Sequence, residues 1–377
     1  MGAIRTEFCE RKERCVMKEL NGKKKTLVLM GCIGALLVGA NIAKADFTFG
    51  EPVNLGPTVN SAYIDGISDM SSDGLELYLE SNRPGGQGEI DIWITKRATV
   101  DDLWEPPVNL GAPVNGSHSA WGPCIARDGL TLYFSSGQPG GAGNADIYVT
   151  RRATTEDPWE EPVNLGPIVN GPVWDHCPSI SEDGLTLIFG SNREKIGTSY
   201  SDLCYIYVTT RPTINDPWEE PIRLGSAINP GLAYDSDYAS ISEDGLSLYF
   251  RLWSSGGTAL WVATRTSVTD TWNRTINLGL DGVSPRFSAD GSTMYFSSRS
   301  YGGYGDADLF QVSVGPVVDL NSDRIVDASD MCIILDHWGE NYPLCDIGPM
   351  PWGDGVVDVQ DLIVLAEHLF EEFPSAQ

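Results

Sequence analysis

Five short segments of the sequence bring carboxylates together with aromatic rings and an imidazole. They are YIDGISD at 63–69, HSAWGPC at 118–124, VWDHCPS at 173–179, AYDSDYA at 233–239 and DGVSPRF at 281–287. Cleavage of a glycosidic bond needs one carboxyl group as acid and a second as base or nucleophile. Asp65, Asp175 and Asp237 are therefore candidate catalytic residues.

The same segments supply four candidates for ligand contact: Trp121, His176, Tyr238 and Arg286. Aromatic faces stack on the apolar side of a sugar ring, and charged groups hydrogen-bond its hydroxyls. The sequence has no Gly-x-Ser-x-Gly, His-Glu-x-x-His or phosphate-binding loop. Two hypotheses remain open: a protein that binds a carbohydrate or protein ligand without catalysis, and a glycoside hydrolase or polysaccharide lyase.

Each segment precedes one copy of a repeat built on an Asp-Gly turn. The copies are MSSDGLELYL, IARDGLTLYF, ISEDGLTLIF, ISEDGLSLYF and FSADGSTMYF, with glycines at 74, 129, 184, 245 and 291. A period near 50 residues with β-strand patterning indicates a propeller or another array of β-units. Asp-Gly supplies the positive φ of a tight turn. The recurring aspartates are predicted to be structural: Asp73, Asp128, Asp183, Asp244 and Asp290.

The repeat is offset at its two ends. In four copies a last element opens with a tryptophan, at Trp104, Trp159, Trp218 or Trp272, but the fifth copy lacks it. The stretch FTFGEPVNLG at 47–56 places Phe49 in that position. An N-terminal strand that completes the last blade would close a ring and remove its open edges. The fold class is therefore an all-β, five-bladed β-propeller over residues 46–315, with six blades as the alternative if the 184–245 interval holds another strand pair.

Three short motifs carry a resemblance to a known repeat family. The SEDG turn, GSNR at 190–193 and ADIYV at 145–149 are similar to the WD40-like (TolB-type, PD40) β-propeller repeats. The resemblance implies the propeller fold and leaves the activity open.

The N-terminal residues predict export. A basic stretch at 23–25, an apolar run and Ala43-Lys44-Ala45 are typical of a cleaved signal peptide over residues 1–45, with residues 1–16 upstream of an alternative start at Met17. A net charge of −27 argues against nucleic acid and anionic membranes as partners. We expect a secreted, extracellular or periplasmic protein that is not held in the membrane after cleavage.

The C-terminal sequence predicts calcium binding. DLNSDRIVDASDMCIILDHW at 319–338 spaces oxygen ligands around one centre, and WGDGVVDVQDLIVLAEHLF at 352–370 repeats the design. Hard cations such as Ca²⁺ take six to eight oxygens at this spacing. The first loop supplies Asp319, Asn321, Asp323, Asp327, Asp330 and the carbonyl of Ile325; the second supplies Asp354, Asp358, Asp361, the carbonyl of Val356 and, if the intervening chain bulges, Asp346.

This duplicated half EF-hand resembles a type I dockerin. The resemblance implies a small helical domain over residues 316–377, two bound Ca²⁺ ions and a cohesin-like partner. It assigns partner recognition to Ala328 and Ser329 in the first loop and to Val359 and Gln360 in the second. A calcium-stabilised cap without a partner is the alternative. Cys332 and Cys345 flank one short loop, and we predict that they form a disulfide.

Overall fold

The computed structural model describes residues 47–194, 203–231, 234–242, 244–254, 257–265, 267–272, 274–288, 291–316, 318–321, 325–340, 342, 345–348 and 356–370. The predicted signal peptide, Asp290, Asp323, Arg324 and Asp354 lie outside these residues. No helix among the described residues has both the length and the apolar character needed to cross a bilayer.

The chain forms five antiparallel sheets, one for each copy of the repeat. The N-terminal strands are β1 (Phe47–Phe49) and β2 (Val53–Asn54). Blade 1 contains β3 (Asp65–Met70), β4 (Glu76–Ser81), β5 (Asp91–Lys96) and β6 (Val108–Asn109). Blade 2 contains β7 (Ala120–Ile125), β8 (Thr131–Ser136), β9 (Asp146–Arg151) and β10 (Val163–Asn164).

The remaining three blades repeat this order. Blade 3 contains β11 (Asp175–Ile180), β12 (Thr186–Ser191), β13 (Tyr205–Thr210) and β14 (Ile222–Arg223). Blade 4 contains β15 (Asp235–Ile241), β16 (Ser247–Ser254), β17 (Gly257–Thr264) and β18 (Arg274–Asn277). Blade 5 contains β19 (Val283–Phe287), β20 (Thr293–Ser298) and β21 (Asp308–Pro316).

The Asp-Gly turns connect the first two strands of each blade. In blade 3 the Asp183 carboxylate accepts hydrogen bonds from the Ser181 hydroxyl at 2.6 Å and the Leu185 N–H at 2.9 Å. Gly184 has φ +70°, a conformation that glycine adopts without steric cost. Consecutive residues Leu187 and Ile188 of the following strand are both buried, because each blade packs between two others.

The N-terminal strands close the ring, as the offset of the repeat predicts. Strand β1 pairs with β21 through Phe49 and Val314, and β2 pairs with β21 through Asn54 and Phe310. The Asn54 amide also donates to the Asp308 carboxylate at 3.0 Å. Strand β19 packs against β3, so the innermost strands form a closed circuit. The five-bladed, all-β prediction is confirmed.

The six-blade alternative is wrong. The long interval from Gly184 to Gly245 contains the same succession of strands as the other blades, β12, β13, β14 and β15. The connection between β12 and β13 runs from residue 192 to residue 204, and residues 195–202 of it lie outside the described residues. No additional strand occurs in the described part of this interval.

The first four blades share one arginine clamp. In blade 2, Arg152 donates from Nε to the Gly129 carbonyl at 2.8 Å, and its guanidinium lies 4.4 Å from the ring centroid of Trp159. The corresponding arginine–tryptophan pairs are Arg97–Trp104, Arg211–Trp218 and Arg265–Trp272. Blade 5 replaces the pair with Val314 and Phe49, which pack in its apolar core.

A separate small core stabilises the C-terminal module. Helices α1 (Ala328–Asp336) and α2 (Val359–Glu367) each begin at an aspartate N-cap, Asp327 or Asp358. The core residues are Val318, Val326, Ile334, Cys345, Ile347, Val357 and Leu365. The predicted Cys332–Cys345 disulfide is wrong, since no disulfide joins the two residues. Cys345 packs in the same core as Ile334, and Cys332 lies two residues from Ile334, about 200° around the helix.

Candidate ligand-binding site

The innermost strands of the five blades line the channel and share one irregularity. The pairing between the first and second strands shifts register within the first three residues of the first strand in every blade, which marks a β-bulge. At the bulge φ is positive for Gly122, Cys177, Tyr238 and Ser284. Non-glycine residues held at positive φ are uncommon and often occur at functional sites. The bulge positions of blades 2 to 5 together line a space of about 10 Å³, close to the size of one water molecule.

Two of the three candidate catalytic aspartates, Asp65 and Asp175, are fully buried and bind groups of their own blade. Asp175 accepts hydrogen bonds from the Gly171 N–H at 2.6 Å and from Arg193 at 2.7 Å. Asp65 has the equivalent place in blade 1, where its partners include Arg83 and the Ser81 hydroxyl. Both carboxylates have no exposed surface. Their contacts support a structural role, and they explain the arginine of the SNR motif.

The third candidate, Asp237, belongs to an acidic pair on one arginine. Arg251 binds both oxygens of Asp237, at 2.5 and 2.7 Å, and donates from Nη2 to Asp235 at 3.0 Å. Asp237 is 4% exposed. Burial raises the pKa of Asp237 and Arg251 opposes this shift. Burial and the neighbouring Asp237 charge raise the pKa of Asp235. Raised carboxyl pKa values in a cleft are a feature of general acids.

His176 lies beside this pair between two thiols. Its Nδ1 is 3.2 Å from Sγ of Cys177 and its Nε2 is 2.9 Å from Sγ of Cys204. Burial lowers the pKa of His176 to about 4, so the ring is neutral at pH 7. A neutral imidazole has one donor and one acceptor nitrogen, so one thiol accepts and the other donates. Gly190 makes room for the ring, because a Cβ there would lie 3.2 Å from it.

Trp121 belongs to an aromatic pair at the same end of the channel. Its ring centroid lies 6.1 Å from that of Trp174, with the planes tilted by 47°. Trp174 is 45% exposed. Its backbone N–H donates to the Asn192 side chain at 3.0 Å, and the residue bridges to Ala145 of the previous blade. The tilted pair is a fixed aromatic surface on the face where the innermost strands begin.

Tyr238 joins the acidic pair to the histidine. Its ring centroid is 6.3 Å from that of His176, and the Arg251 guanidinium lies 5.2 Å from the tyrosine ring. Trp121, His176 and Asp237 also occupy equivalent register positions in blades 2, 3 and 4. The structure therefore brings Asp237, His176 and Tyr238 together and places Trp121 in the adjacent blade.

Arg286 does not share this face. It donates from Nε to Asp69 at 3.0 Å and lies past the bulge, toward the Asp-Gly turns. The pair closes an inter-blade ring of five residues at one depth of the channel: Asp69, Cys124, Ser179, Ser240 and Arg286. Asp69 accepts from the Ile125 N–H at 2.9 Å, Cys124 from the Ile180 N–H at 3.4 Å and Ser179 from the Ile241 N–H at 3.2 Å, while Ser240 donates to the Pro285 carbonyl at 2.7 Å.

Sequence reasoning missed three residues of this face: Trp174, Asp235 and Arg251. Trp174 and Asp235 lie inside the segments that had been singled out, next to Asp175 and two residues before Asp237. Arg251 lies on the neighbouring strand β16, at a position where blade 3 has Gly190. The equivalent residues in blades 1, 2 and 5 are Glu80, Ser135 and Ser297, so the position has no repeated residue and the sequence carried no signal for Arg251.

In both predicted calcium loops, the last predicted ligand accepts hydrogen bonds from the backbone of its own loop. Asp330 accepts the backbone N–H groups of Leu320 at 2.8 Å and Asn321 at 3.1 Å. Asp361 accepts those of Ile347 at 2.6 Å and Gly348 at 2.8 Å. The oxygen-only donor set fits a hard cation. Among the described residues, which exclude Asp323 and Asp354, no three His, Cys, Asp or Glu side chains are grouped to hold a metal ion.

Comparison with known proteins gives a likeness of fold. No protein-family model matches the chain, and no curated protein matches it. A TolB-type protein from Agrobacterium tumefaciens is similar at 16% identity and TM-score 0.41, over 73% of this chain and 86% of that one. The GH43 endo-arabinanase from Bacillus licheniformis is similar at 15% identity and TM-score 0.44, over 68% and 94%. An α-L-arabinofuranosidase from Lactobacillus brevis is similar at 13% identity and TM-score 0.42, over 69% and 92%. The chain is a five-bladed β-propeller that resembles a TolB-type protein and glycoside hydrolases in fold.

Proposed function

We propose that this is an exported carbohydrate-binding protein that holds its ligand at the channel mouth where the innermost strands begin. The observation that supports the proposal is the exposed Trp174 ring, paired with Trp121 and followed in the next blade by Asp235 and Arg251. A sugar ring has one apolar face and a rim of hydroxyls, so it needs an aromatic surface beside polar groups.

The aromatic surface is rigid before the ligand arrives. The hydrogen bond from Trp174 to Asn192 and the bridge to Ala145 fix its backbone, and Trp121 supports the ring from the side. Fixing these groups in advance reduces the entropy lost on binding. The Asp235 side chain is 24% exposed, so its carboxylate can accept hydrogen bonds from ligand hydroxyls.

A glycoside hydrolase or polysaccharide lyase is the second candidate function, and the Asp235–Asp237 pair favours it. Two carboxyl groups with raised pKa values meet at one arginine near a partly open surface. Asp65 and Asp175 support this function less, because both are fully buried in ion pairs. If the protein is an enzyme, we expect Asp235 and Asp237 to supply the acid and base.

A glycan microarray and an assay for released reducing ends, both with the full chain, test the two functions. The binding proposal predicts affinity for a defined set of glycans with no product. Turnover abolished by Asp237→Asn, without loss of folding, would replace it with the hydrolase. Products with an unsaturated ring, which form by elimination and not by hydrolysis, would instead identify a lyase. Absence of glycan binding and of product would overturn both.

We further propose that the C-terminal module binds Ca²⁺ and links the propeller to a cohesin-like partner. Asp319, Asn321, Asp327 and Asp330 would hold one ion and Asp358 and Asp361 would contribute to a second. The two halves have the same capped-helix arrangement around a shared apolar core, which is what a duplicated calcium loop requires. Ala328, Ser329, Val359 and Gln360 begin the two helices and supply the partner surface.

A further inference from the structure

A cavity of about 360 Å³ occupies the channel at the end opposite the aromatic pair. All five blades line it, with Asp69, Cys124, Ser179, Ser240 and Arg286 among the lining residues. We propose that this cavity binds one small, neutral, polyhydroxylated molecule of monosaccharide size. The proposal concerns a second site, and it does not depend on carbohydrate binding at the aromatic pair.

The size of the cavity suits a compact ligand. Pockets that take small molecules in proteins measure roughly 300 to 1,000 Å³, so a volume of about 360 Å³ lies at the small end of this range. On the other side of the inter-blade ring, the bulge residues line a space of only about 10 Å³. The cavity extends to the Asp-Gly turns, where Ser72, Asp244 and Gly291 line it.

The inter-blade ring places polar groups with remaining hydrogen-bonding capacity on the cavity. Arg286 donates hydrogen bonds from Nε to Asp69 and from Nη1 to the Pro285 carbonyl. Within the described residues its Nη2 has no hydrogen-bond partner. Ser240 uses its hydroxyl proton on Pro285, which leaves its oxygen able to accept. Ser179 accepts a backbone N–H and keeps a proton to donate. Because a hydroxyl group both donates and accepts hydrogen bonds, a ligand that carries hydroxyls can pair with both kinds of group.

An apolar belt follows the polar ring toward the mouth. It is formed by one residue from each blade: Met70, Ile125, Ile180, Ile241 and Phe287. Tyr249 stacks on Phe287 with ring centroids 4.4 Å apart and also lines the cavity. The C–H face of a sugar or cyclitol can pack on this belt while its hydroxyls reach the ring. A purely polar solute would leave the belt uncovered.

The charges around the cavity favour a neutral ligand. Asp69 is paired with Arg286, and at the rim Arg127 is paired with Glu182 at 2.7 Å. Asp244, also on the rim, binds the Ser242 hydroxyl and the Leu246 N–H of its own turn. An anionic ligand buried here would meet no unpaired positive charge among the described lining residues, which is unfavourable. An anion would in addition be opposed by the protein's net charge of −27.

Methyl NMR of the full chain tests the proposal directly. The δ1 methyl groups of Ile125, Ile180 and Ile241 report on the cavity, and each is assigned by a single Ile→Val substitution. The probes are glucose, galactose, xylose, arabinose and myo-inositol at millimolar concentration, with succinate as the anionic comparison. We expect at least one neutral probe to shift these three methyl signals in a saturable way, and succinate to leave them unchanged.

Two substitutions with matched controls locate the binding. Ser72 is exposed on the cavity rim, and Ser72→Trp should block the mouth and weaken the affinity at least tenfold. Ser300→Trp places the same bulk on an exposed residue beyond strand β20, at the far end of the propeller, and should have no effect. Trp174→Ala should also leave the cavity methyl shifts unchanged, even where it abolishes glycan binding at the other face.

The outcomes separate this site from the proposed function. Unchanged methyl signals with all neutral probes would overturn the cavity proposal and leave the Trp174 site intact. Binding of succinate in place of the neutral probes would contradict the ligand class. Loss of affinity in Trp174→Ala, with Ser72→Trp unaffected, would show that the probes bind at the aromatic pair and that the cavity takes none of them.

Discussion

His176 is a buried histidine held between two thiols. Both ring nitrogens contact thiols, and the charges of Asp235, Arg251 and Asp175 act on the ring. Burial lowers the pKa of His176 from 6.5 to about 4. The folded protein thus keeps this ring neutral at pH values where the unfolded chain would protonate it.

The lowered pKa predicts an acid-labile contribution to stability. Between pH 6.5 and pH 4 the unfolded state binds the His176 proton and the folded state does not, so the free energy of unfolding falls as the pH falls. Across the whole of this pH range, a shift of this size changes the free energy of unfolding by about 3 kcal/mol. Urea unfolding from pH 7 to pH 4.5 should show a steeper loss for the natural protein than for His176→Gln. Asp235 and Asp237, with raised pKa values, act in the opposite direction in both proteins.

Equal pH slopes for the natural protein and His176→Gln would contradict the buried, neutral histidine. The difference between the two proteins is the informative quantity, because all other ionisable groups are the same in both.

Asp175 should behave as a stabilising residue. Asp175→Ala removes the partner of Arg193 and the acceptor of the Gly171 N–H. Because the Arg193 side chain is 20% exposed, water can partly replace the lost carboxylate. We expect the free energy of unfolding, measured in urea, to fall by about 2 kcal/mol, which is toward the lower end for a broken buried pair. Asp157→Ala, at an exposed turn, should cost less than half as much; equal losses would remove the structural assignment.

At the scale of the elements, the arginine clamp fastens the Asp-Gly turn to the outer part of the blade. Arg152→Ala removes hydrogen bonds to the Gly129 and Thr155 carbonyls and the contact with Trp159. Arg152 is 8% exposed, so we expect a loss of about 2 to 3 kcal/mol in the free energy of unfolding. Arg151→Ala, one residue earlier and exposed, is the matched control and should change stability by less than about 0.5 kcal/mol. Similar losses in both variants would contradict the clamp.

The elements were predictable from the repeat, and the contacts across blades were not. Five Asp-Gly turns, the displaced Phe49 and the alternation of each second strand fixed the number of blades and their closure. The partners of Asp237 and Arg286 depend on a bulge that shifts the pairing of each innermost strand, and simple alternation does not show this shift. Asp69 and Arg286 lie 217 residues apart, and only ring closure brings them together.

The same limit applies to the candidate site. The segments before the turns line the channel, but their residues divide between two depths. Trp121, His176 and Tyr238 lie at or before the bulge, and Arg286 lies after it. A one-residue insertion into a strand changes which face each later side chain occupies. The sequence could therefore nominate the strands and could not assign every residue to a mouth.

At the scale of the whole molecule, strand β1 closes the ring of blades by pairing with β21. Phe49 packs with the apolar core of blade 5, next to Val314. Phe49→Asp would place a charge against this core and free the edge of β21, so we expect a loss of about 2 to 4 kcal/mol and concentration-dependent aggregation. Phe49→Leu keeps the apolar contact and should cost about 1 kcal/mol. Urea unfolding and light scattering measure both; equal behaviour of the two variants would contradict closure by this strand.

Calcium binding by the C-terminal module is a separate prediction. If the C-terminal module holds Ca²⁺, a calcium concentration one hundred times the dissociation constant should add about 2.7 kcal/mol to the stability of that module. Asp319→Asn should remove much of this gain, and Asp306→Asn, on an exposed propeller loop, should not. Calorimetric titration of the full chain with Ca²⁺ measures binding. No heat, together with melting that EDTA does not change, would contradict the module.

The most direct test of carbohydrate binding at the channel mouth is a calorimetric titration of the full chain with an oligosaccharide selected on the glycan array. Truncating an aromatic residue central to a site typically costs about 2 kcal/mol, which is roughly thirtyfold in affinity. The account predicts this loss for Trp174→Ala and an unchanged dissociation constant for Trp338→Ala, a tryptophan of similar exposure in the C-terminal module. Unchanged affinity in Trp174→Ala would contradict it.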